Sequence, residues 1–347
     1  MKSVMKFALL VAVGTIPFAA VPPVQAQSAK VLKVAIFVPK PSSASRWFLA
    51  KEKWIAEKSG GSLKLQLFFG SSMGPMPRHH DLARTGVADM SFFQQGVTRG
   101  RFPLTELFHV PYLFPPGAKG SVTGAKVAAE VMDEYIRPEH EKVGTKVLWV
   151  VFNRPSGVYD SKVPIRTLAD LKGRRYRAPT PTDVIMMKSL GALPIGMPAT
   201  HMAESLQKGT IDGVVTDPMG IFAFRLGTLV KYYTNTFVSA ISFGLALNPK
   251  SYDGLSSAHK ALIDELGSKQ AGVNMAKMAW NDYPAFTNYM SKLKFKTVKM
   301  KAGEEGKMRA AAAKVVEGRI AALEKAGHPA RVFYGKIKAL SAKFAKE

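Results

Sequence analysis

Three arginines near the middle of the chain, Arg174, Arg175 and Arg177, have the residue type and spacing that best fit ligand chemistry. Residues 170–173 predict a turn, and a short strand then leads to Pro179, which begins the next helix. Arg177 therefore lies at a strand end, where ligands bind in open α/β sheets. A guanidinium there donates two parallel hydrogen bonds to a carboxylate, which a lysine cannot match. The alternative is that all three arginines are solvated surface residues.

Other reactive side chains give weaker signals. His79-His80-Asp81 holds metal-ligating types, but adjacent helical residues point about 100° apart, so a surface pair is the expected reading. Asp212 and Asp217 lie in strand-to-loop positions without an obvious acid or base partner in the sequence. The sequence contains no nucleophile elbow, zinc-binding helix motif or phosphate-binding glycine loop. An enzyme acting on a carboxylate through a cleft acid such as Asp217 is therefore the alternative function, and a binding protein is preferred.

The elements that must position these residues alternate between strands and helices. This order predicts an α/β fold with parallel sheets flanked by helices, followed by a helix-rich C-terminal region. Strands are predicted over 31–38, 62–69, 87–93, 146–152, 176–178 and 211–215, helices over 46–58, 76–85, 180–190, 200–208, 257–266, 270–293 and 306–325, and an isolated basic strand or linker over 294–301.

Two segments in different halves resemble each other. Residues 81–89 and 204–212 each contain a helix end, a glycine suited to a left-handed cap, and a later aspartate. They indicate two similar lobes with a ligand between them, although unrelated α/β units also share this pattern. The length also favours two lobes over one core.

The N-terminus predicts export. Lys2 and Lys6 precede a short apolar run over 7–14, and Val24-Gln25-Ala26 supplies the small residues of a cleavage site. These are the parts of a secretory signal peptide covering residues 1–26, so the mature chain is expected to begin near Gln27 in the periplasm. The sequence has no cysteine, so no disulfide contributes.

The net charge of +24 could indicate a nucleic-acid partner. Export and the scatter of basic residues along the chain argue against nucleic acid. A solvated basic surface that raises the local concentration of small anions fits better.

Short motifs in a fixed order cover nearly the whole mature chain and together resemble the DctP-type substrate-binding proteins of TRAP (tripartite ATP-independent periplasmic) transporters. The motifs are Gly86-Val87-Ala88-Asp89, Gly100-Arg101-Phe102-Pro103, Val110-Pro111-Tyr112-Leu113-Phe114, Asp170-Leu171-Lys172-Gly173, Arg177-Ala178-Pro179, 190–198, Gly209-Thr210-Ile211-Asp212-Gly213 and Asn248.

The resemblance implies a two-lobed α/β fold of the periplasmic-binding-protein type, with a long helix spanning both lobes. We expect lobe I over 27–150 with part of 241–290, lobe II over 151–240, and a helical region over 255–347 that packs across both. The resemblance also implies closure on a small organic acid and delivery to ion-driven TRAP membrane subunits. We further expect a monomer without a cofactor. Arg177 corresponds to the family's carboxylate-binding arginine.

Further pocket residues are expected from loops that face the cleft. Among them, Asp217 would repel a carboxylate ligand unless it is protonated or bridged to the ligand by a cation. These candidates are Pro39 and Ser43 after the first strand, Gln94 after the third, Ser156 at the hinge, and Thr216, Asp217 and Phe243 opposite.

Departures from the family pattern narrow the ligand. His109 replaces an acidic residue, residues 214–218 read Val-Val-Thr-Asp-Pro, and Arg154 poorly matches the second arginine of sugar-acid receptors. These departures favour a monocarboxylate, such as a keto, hydroxy or aromatic acid, over a dicarboxylate or a sialic acid. Phenylalanines at 37, 92, 93, 222 and 243 suit an apolar tail, unless they fill the cores of the lobes.

Overall fold

The computed structural model describes residues 28–98, 100–236, 239–280 and 284–347, and the predicted signal peptide lies outside them. The described residues form two β-sheets with helices packed on both. The strands are β1 (Lys30–Ile36), β2 (Leu63–Phe68), β3 (Met90–Gln94), β4 (Lys146–Phe152), β5 (Gly157–Asp160), β6 (Arg175–Ala178), β7 (Leu193–Gly196), β8 (Gly213–Thr216), β9 (Tyr232–Thr234), β10 (Ser242–Leu247) and β11 (Lys296–Val298).

The first sheet has the order β2-β1-β3-β10-β4 and forms the centre of lobe I. β1 pairs in parallel with β2 and β3, as the alternation of strands and helices predicts. β10 returns from the far part of the chain and lies antiparallel between β3 and β4. This pairing places Phe243 opposite Gln94, so both lie at one edge of the sheet.

The second sheet has the order β11-β9-β5-β8-β6-β7 and forms the centre of lobe II. β6 runs parallel to both of its neighbours, and Arg177 lies opposite Ile195 of β7 and Val214 of β8. The basic segment predicted as an isolated strand or linker is instead the edge strand β11, which pairs in parallel with β9. The backbone of an edge strand is half-solvated, which suits its lysines.

Helices cover both sheets and join the lobes. They are α1 (Ser43–Lys58), α2 (His79–Thr85), α3 (Ala118–Glu130), α4 (Arg137–Lys142), α5 (Pro181–Ser189), α6 (Met202–Gln207), α7 (Pro218–Ala223), α8 (Pro249–Asp253), α9 (Ser257–Leu266), α10 (Lys269–Trp280), α11 (Pro284–Ser291), α12 (Glu304–Lys325) and α13 (Ala330–Phe344). Within the helix predicted over 270–293, the described residues form α10 and α11, and residues 281–283 lie outside the described chain. No described helix is long and apolar enough to cross a bilayer.

The long helix α12 crosses both lobes, as the family resemblance implies. Its first half contributes Met308 and Ala312 to the core around Tyr176 of lobe II. Its second half contributes Ile320 to the core around Phe108 of lobe I. One continuous helix therefore buries apolar side chains in two cores and ties the lobes together.

The chain also crosses between the lobes in two strand connections that run side by side. Residues 153–156 join β4 to β5, and residues 235–236 and 239–241 belong to the connection from β9 to β10. The Ser156 amide donates to the Ser239 carbonyl at 2.7 Å, and the Ile241 amide donates to Asn153 Oδ1 at 2.6 Å. We refer to these paired connections as the hinge.

His79 and His80 are both fully buried, so the predicted surface pair is wrong. His79 Nε2 lies 3.2 Å from the Gly74 carbonyl, and His80 Nε2 lies 3.2 Å from Thr145 Oγ1. Desolvation lowers the pKa of both imidazoles and brings that of His80 to about 4, so both rings are neutral. No cluster of three metal-ligating side chains occurs among the described residues.

Candidate functional site

A cavity lies between the two sheets at the carboxyl ends of their parallel strands, as expected for ligand sites in open α/β sheets. The space between its walls measures about 580 Å³ when the open solvent at its mouth is included. Both lobes and the hinge contribute to its lining, which consists of Phe37, Val38, Ser42, Ser43, Ala44, Phe92, Gln94, Asn153, Arg177, Ala199, Thr216, Asp217, Met219, Gly220, Ala223, Phe224, Ile241 and Phe243.

Arg177 is the cationic group of this cavity, and its side chain is only 1% exposed. Its Nε donates to the Met197 carbonyl and its Nη1 to the Val215 carbonyl, each at 3.1 Å. Its Nη2 is buried and has no hydrogen-bond partner in the described chain. Burial lowers the Arg177 pKa to about 10, which leaves the guanidinium charged at neutral pH. The group is thus held rigidly with one donor nitrogen left for an anionic ligand.

The neighbouring arginines are neither ligand groups nor freely solvated. Arg174 makes a bidentate pair with Asp160, which is buried in lobe II, at 2.9 and 2.7 Å. Arg175 makes a similar pair with Asp212 at 3.1 and 2.9 Å. The reading of all three arginines as solvated surface is therefore wrong, because two have carboxylate partners within their own lobe and Arg177 lies in the cavity.

Three phenylalanine rings of lobe I form a stacked apolar wall of the cavity. The Phe92 ring lies 5.4 Å from Phe37 and 5.5 Å from Phe243, with interplanar angles of 10° and 26°. Phe93 faces the other side of the sheet and contacts Phe102, because successive side chains of a strand alternate. Phe222 contacts Tyr289 and does not line the cavity. Of the five phenylalanines considered, three therefore meet at the site.

Asp217 lies at the cavity but has a structural role as the N-cap of α7. Its carboxylate accepts hydrogen bonds from the amides of Met219 and Gly220, each at 3.2 Å. Burial raises its pKa, while those amides and the Asn153 side chain oppose the shift. Caps of this kind satisfy amides that the first helical turn leaves unpaired. The carboxylate is therefore committed to the helix and is poorly placed to act as a free base or metal ligand.

Of the eight candidate pocket residues, six line the cavity: Ser43, Gln94, Arg177, Thr216, Asp217 and Phe243. Pro39 does not, since its carbonyl instead accepts from Ser45 Oγ at 3.0 Å at the start of α1. Ser156 does not either, being fully buried within the hinge.

Sequence reasoning missed further lining residues, among them Asn153, Phe224 and Ile241. Asn153 directly follows β4, so the rule that ligands lie at strand ends could have found it. Phe224 and Ile241 reach the cavity only through the fold of α7 and the hinge, for which the sequence carries no local signal.

His109, which departs from the family pattern, is buried beside the cleft rather than in it. Its Nε2 lies 2.6 Å from Ser242 Oγ at the start of β10. Desolvation lowers the His109 pKa to about 3, with a contribution from the positive charge of Arg319, so the imidazole is neutral. His109 therefore brings no charge to the ligand.

The chain is similar in sequence to known solute-binding proteins. The family model of bacterial extracellular solute-binding proteins, family 7 (DctP), matches residues 42–322. The 2,3-diketo-L-gulonate-binding periplasmic protein YiaO of Escherichia coli K12 is 28% identical over 230 residues, covering 66% of this chain and 68% of that protein.

Solved structures resemble the whole described fold. A marine metagenome TRAP solute-binding protein specific for aromatic acid ligands, in complex with metahydroxyphenylacetate, superposes with a TM-score of 0.82. It is 26% identical and the match covers 91% of this chain and 99% of the other. A TRAP solute-binding protein from Rhodoferax ferrireducens T118 with copurified benzoate gives the same TM-score at 25% identity, covering 91% and 98%.

Proposed function

Because the chain belongs to family 7 of the bacterial extracellular solute-binding proteins, the DctP family of TRAP receptors, we propose that it captures an aromatic monocarboxylate. Members of this family are periplasmic receptors of organic acids that serve a TRAP permease, and they are not enzymes. The observation that carries the ligand proposal is the buried Arg177, whose Nη2 has no partner in the described chain and whose cavity has a phenyl wall.

The charge of the cavity favours a single carboxylate. Among its described lining residues, Arg177 is the one basic residue and Asp217 the one acidic residue. A second ligand carboxylate would be desolvated without a cationic partner, which is strongly unfavourable. A monoanion instead pairs with the guanidinium and leaves the rest of the ligand to apolar contacts.

The shape of the wall favours an aromatic tail. Phe37, Phe92 and Phe243 have nearly parallel rings, and aromatic pairs in such arrangements contribute about 0.5–1.5 kcal/mol beyond simple area burial. Two similar structures carry metahydroxyphenylacetate and benzoate, which supports the same class of ligand for this chain.

A thermal-shift screen tests the proposal. Purified mature chain is mixed with benzoate, 3-hydroxybenzoate, pyruvate, succinate or glucuronate, and each acid is recovered and checked for chemical change. Ligand at about 1,000 times its Kd stabilises the folded state by about 4 kcal/mol, which raises Tm by several degrees. We expect the aromatic acids to raise Tm most and to be recovered unchanged. A shift with succinate or glucuronate alone would reject the aromatic monocarboxylate, and turnover would favour the alternative of an enzyme.

The cellular setting follows from the same assignment. We propose that residues 1–26 are cleaved on export and that the mature monomer, starting at Gln27, delivers its ligand to TRAP membrane subunits without binding nucleic acid. We also propose lobe boundaries at 27–150 with part of 241–290, and at 151–240, with helices over 255–347 packed across both. Mass spectrometry of the periplasmic protein identifies its first residue, and light scattering after gel filtration gives its mass. An intact leader or a stable dimer would contradict these expectations.

A further inference from the structure

A buried carboxylate lies close behind Arg177 and is not part of the cavity lining. Asp183, in the first turn of α5, is fully buried. Its Oδ2 accepts a hydrogen bond from Thr180 Oγ1 at 2.6 Å, and its Oδ1 accepts one from Ser239 Oγ. Thr180 also caps α5, because its hydroxyl accepts from the Asp183 amide at 3.1 Å. One carboxylate therefore joins the helix that follows Arg177 to a residue outside that helix.

The partner Ser239 belongs to the hinge. It lies between β9 of lobe II and β10 of lobe I, and its carbonyl accepts from the Ser156 amide of the other hinge connection at 2.7 Å. The hydrogen bonds of Asp183 thus continue into both connections about which the lobes would rotate.

The same loop also touches lobe I across the cleft. Gln94 Nε2 donates to the Pro179 carbonyl at 3.2 Å, directly before Thr180. A Cβ added to Gly96 would lie 2.8 Å from Thr180 Cγ2, so the two lobes contact here without room for a methyl group. The position of Thr180 therefore fixes both the end of the Arg177 strand and the closeness of the lobes.

We propose that Asp183 is a positioning residue for lobe closure, which ties the loop after Arg177 to the hinge through Thr180 and Ser239. This inference rests on the proposed function, because the hydrogen bonds of Asp183 to Thr180 and Ser239 would support closure around a ligand. When Asp183 is intact, rotation of lobe II carries Arg177 to one defined place in the cleft. When it is lost, the loop and the hinge move independently, and the closed state holds its ligand less well.

The charge of Asp183 adds to this role. Burial raises its pKa to about 6, while the two hydroxyl donors and the positive charge of Arg177 oppose the shift. Arg177 in turn is influenced by the negative charges of Asp183 and Asp217. At neutral pH the Asp183 carboxylate is therefore ionised and offsets part of the buried guanidinium charge, which an asparagine at position 183 would not do.

The experiment measures the distance between the lobes directly. The sequence has no cysteine, so exposed Lys64 of lobe I and exposed Lys162 of lobe II can be replaced by cysteine and spin-labelled without interference. Distance distributions are recorded with and without 3-hydroxybenzoate, and dissociation of this acid is followed by stopped flow. The test variants are Asp183→Asn, Ser239→Ala and the double variant.

Asp170→Asn is the matched control. Thr167 and Asp170 form the same Thr-x-x-Asp cap in lobe II, with Asp170 Oδ2 accepting from the Thr167 amide at 2.8 Å, but this cap makes no contact with the hinge. Both aspartate variants alter a cap, but Asp170 is only partly buried, so Asp170→Asn is expected to lower Tm less than Asp183→Asn. Only loss of the hinge connection is expected to change the distance between the lobes.

We expect Asp183→Asn and Ser239→Ala each to broaden the distance distribution in the absence of ligand and to speed dissociation about tenfold. The double variant should release the ligand at about the rate of the faster single variant, because both substitutions remove the same Asp183–Ser239 connection. Asp170→Asn should match the wild type in both measurements. Unchanged distributions in both single variants would overturn the proposal even if Tm falls. If no acid in the screen narrows the wild-type distribution, the proposed function fails, while the ligand-free distributions still decide the role of Asp183.

Discussion

Replacement of Arg177 should abolish most ligand affinity, and the size of the loss follows from the burial of its guanidinium. The side chain is 1% exposed and two of its nitrogens are held by backbone carbonyls, so the third can meet a ligand without reorganisation. Truncating one partner of a buried, hydrogen-bonded charge pair costs about 2–5 kcal/mol. With about 1.4 kcal/mol for each tenfold change, Arg177→Ala should weaken benzoate binding roughly 30-fold to several thousandfold.

The Arg177→Lys variant distinguishes the effect of the positive charge at this position from the effect of the planar guanidinium geometry. A lysine keeps the positive charge but has a single ammonium that cannot satisfy the Met197 and Val215 carbonyls and a carboxylate in the fork arrangement of the guanidinium. We therefore expect Arg177→Lys to recover little of the affinity lost in the alanine variant. Isothermal titration calorimetry with benzoate measures both, and circular dichroism confirms that each variant is folded.

The matched control is Arg175→Ala, because this neighbouring side chain is 42% exposed and pairs with Asp212 away from the cavity. It should bind benzoate within about twofold of wild type, since exposed pairs contribute little. Arg174 is a poorer control than Arg175, because its loss would leave the buried Asp160 without its guanidinium partner. Wild-type affinity in Arg177→Ala, within a few-fold, would refute the assignment.

Three further outcomes are expected. Gly96→Ala should weaken binding at least tenfold while leaving Tm within about 3 °C, because its Cβ would meet Thr180 at 2.8 Å and hold the lobes apart; unchanged affinity by calorimetry would contradict this. Phe243→Leu should weaken benzoate binding about threefold to tenfold but leave pyruvate binding unchanged, since only the stacking contribution is lost; equal losses for both acids would count against an aromatic wall. Asp183 has a folded-state pKa of about 6, above its ordinary value, so the folded state binds the proton more tightly than the unfolded state. As the pH falls from 6 towards 4, the free energy of unfolding of the wild type should therefore rise relative to that of Asp183→Asn by on the order of 2 kcal/mol. Urea unfolding at each pH measures both proteins, and the same pH dependence in both would contradict this prediction.

The alternation of strands and helices in lobe I could be predicted from the sequence because it depends on local patterns. The predicted strand over 62–69 corresponds to β2, and the helix over 46–58 to α1, which begins earlier because Ser42 caps it. The antiparallel insertion of β10 between β3 and β4 could not be predicted. Its partners lie about a hundred residues or more away, and no local pattern specifies which strands pair.

The site could be predicted from the sequence only in part, because many of its contacts also come from distant segments. Arg177 could be chosen because it ends a strand, but nothing local distinguishes it from Arg174, whose partner Asp160 lies 14 residues away. The burial of His80 was missed because its hydrogen-bond partner Thr145 comes from a distant segment, whereas His79 pairs with the nearby Gly74 carbonyl. Polar residues of this kind look like surface residues until the fold supplies their partners.

A crystal structure of the mature chain with 3-hydroxybenzoate would test directly whether Arg177 binds the carboxylate of an aromatic acid in the cavity. We expect a carboxylate oxygen about 3 Å from Arg177 Nη2, with the ring of the ligand against Phe37, Phe92 and Phe243. A ligand bound outside this cavity, or one whose carboxylate faces solvent while Arg177 contacts only the Met197 and Val215 carbonyls, would contradict it.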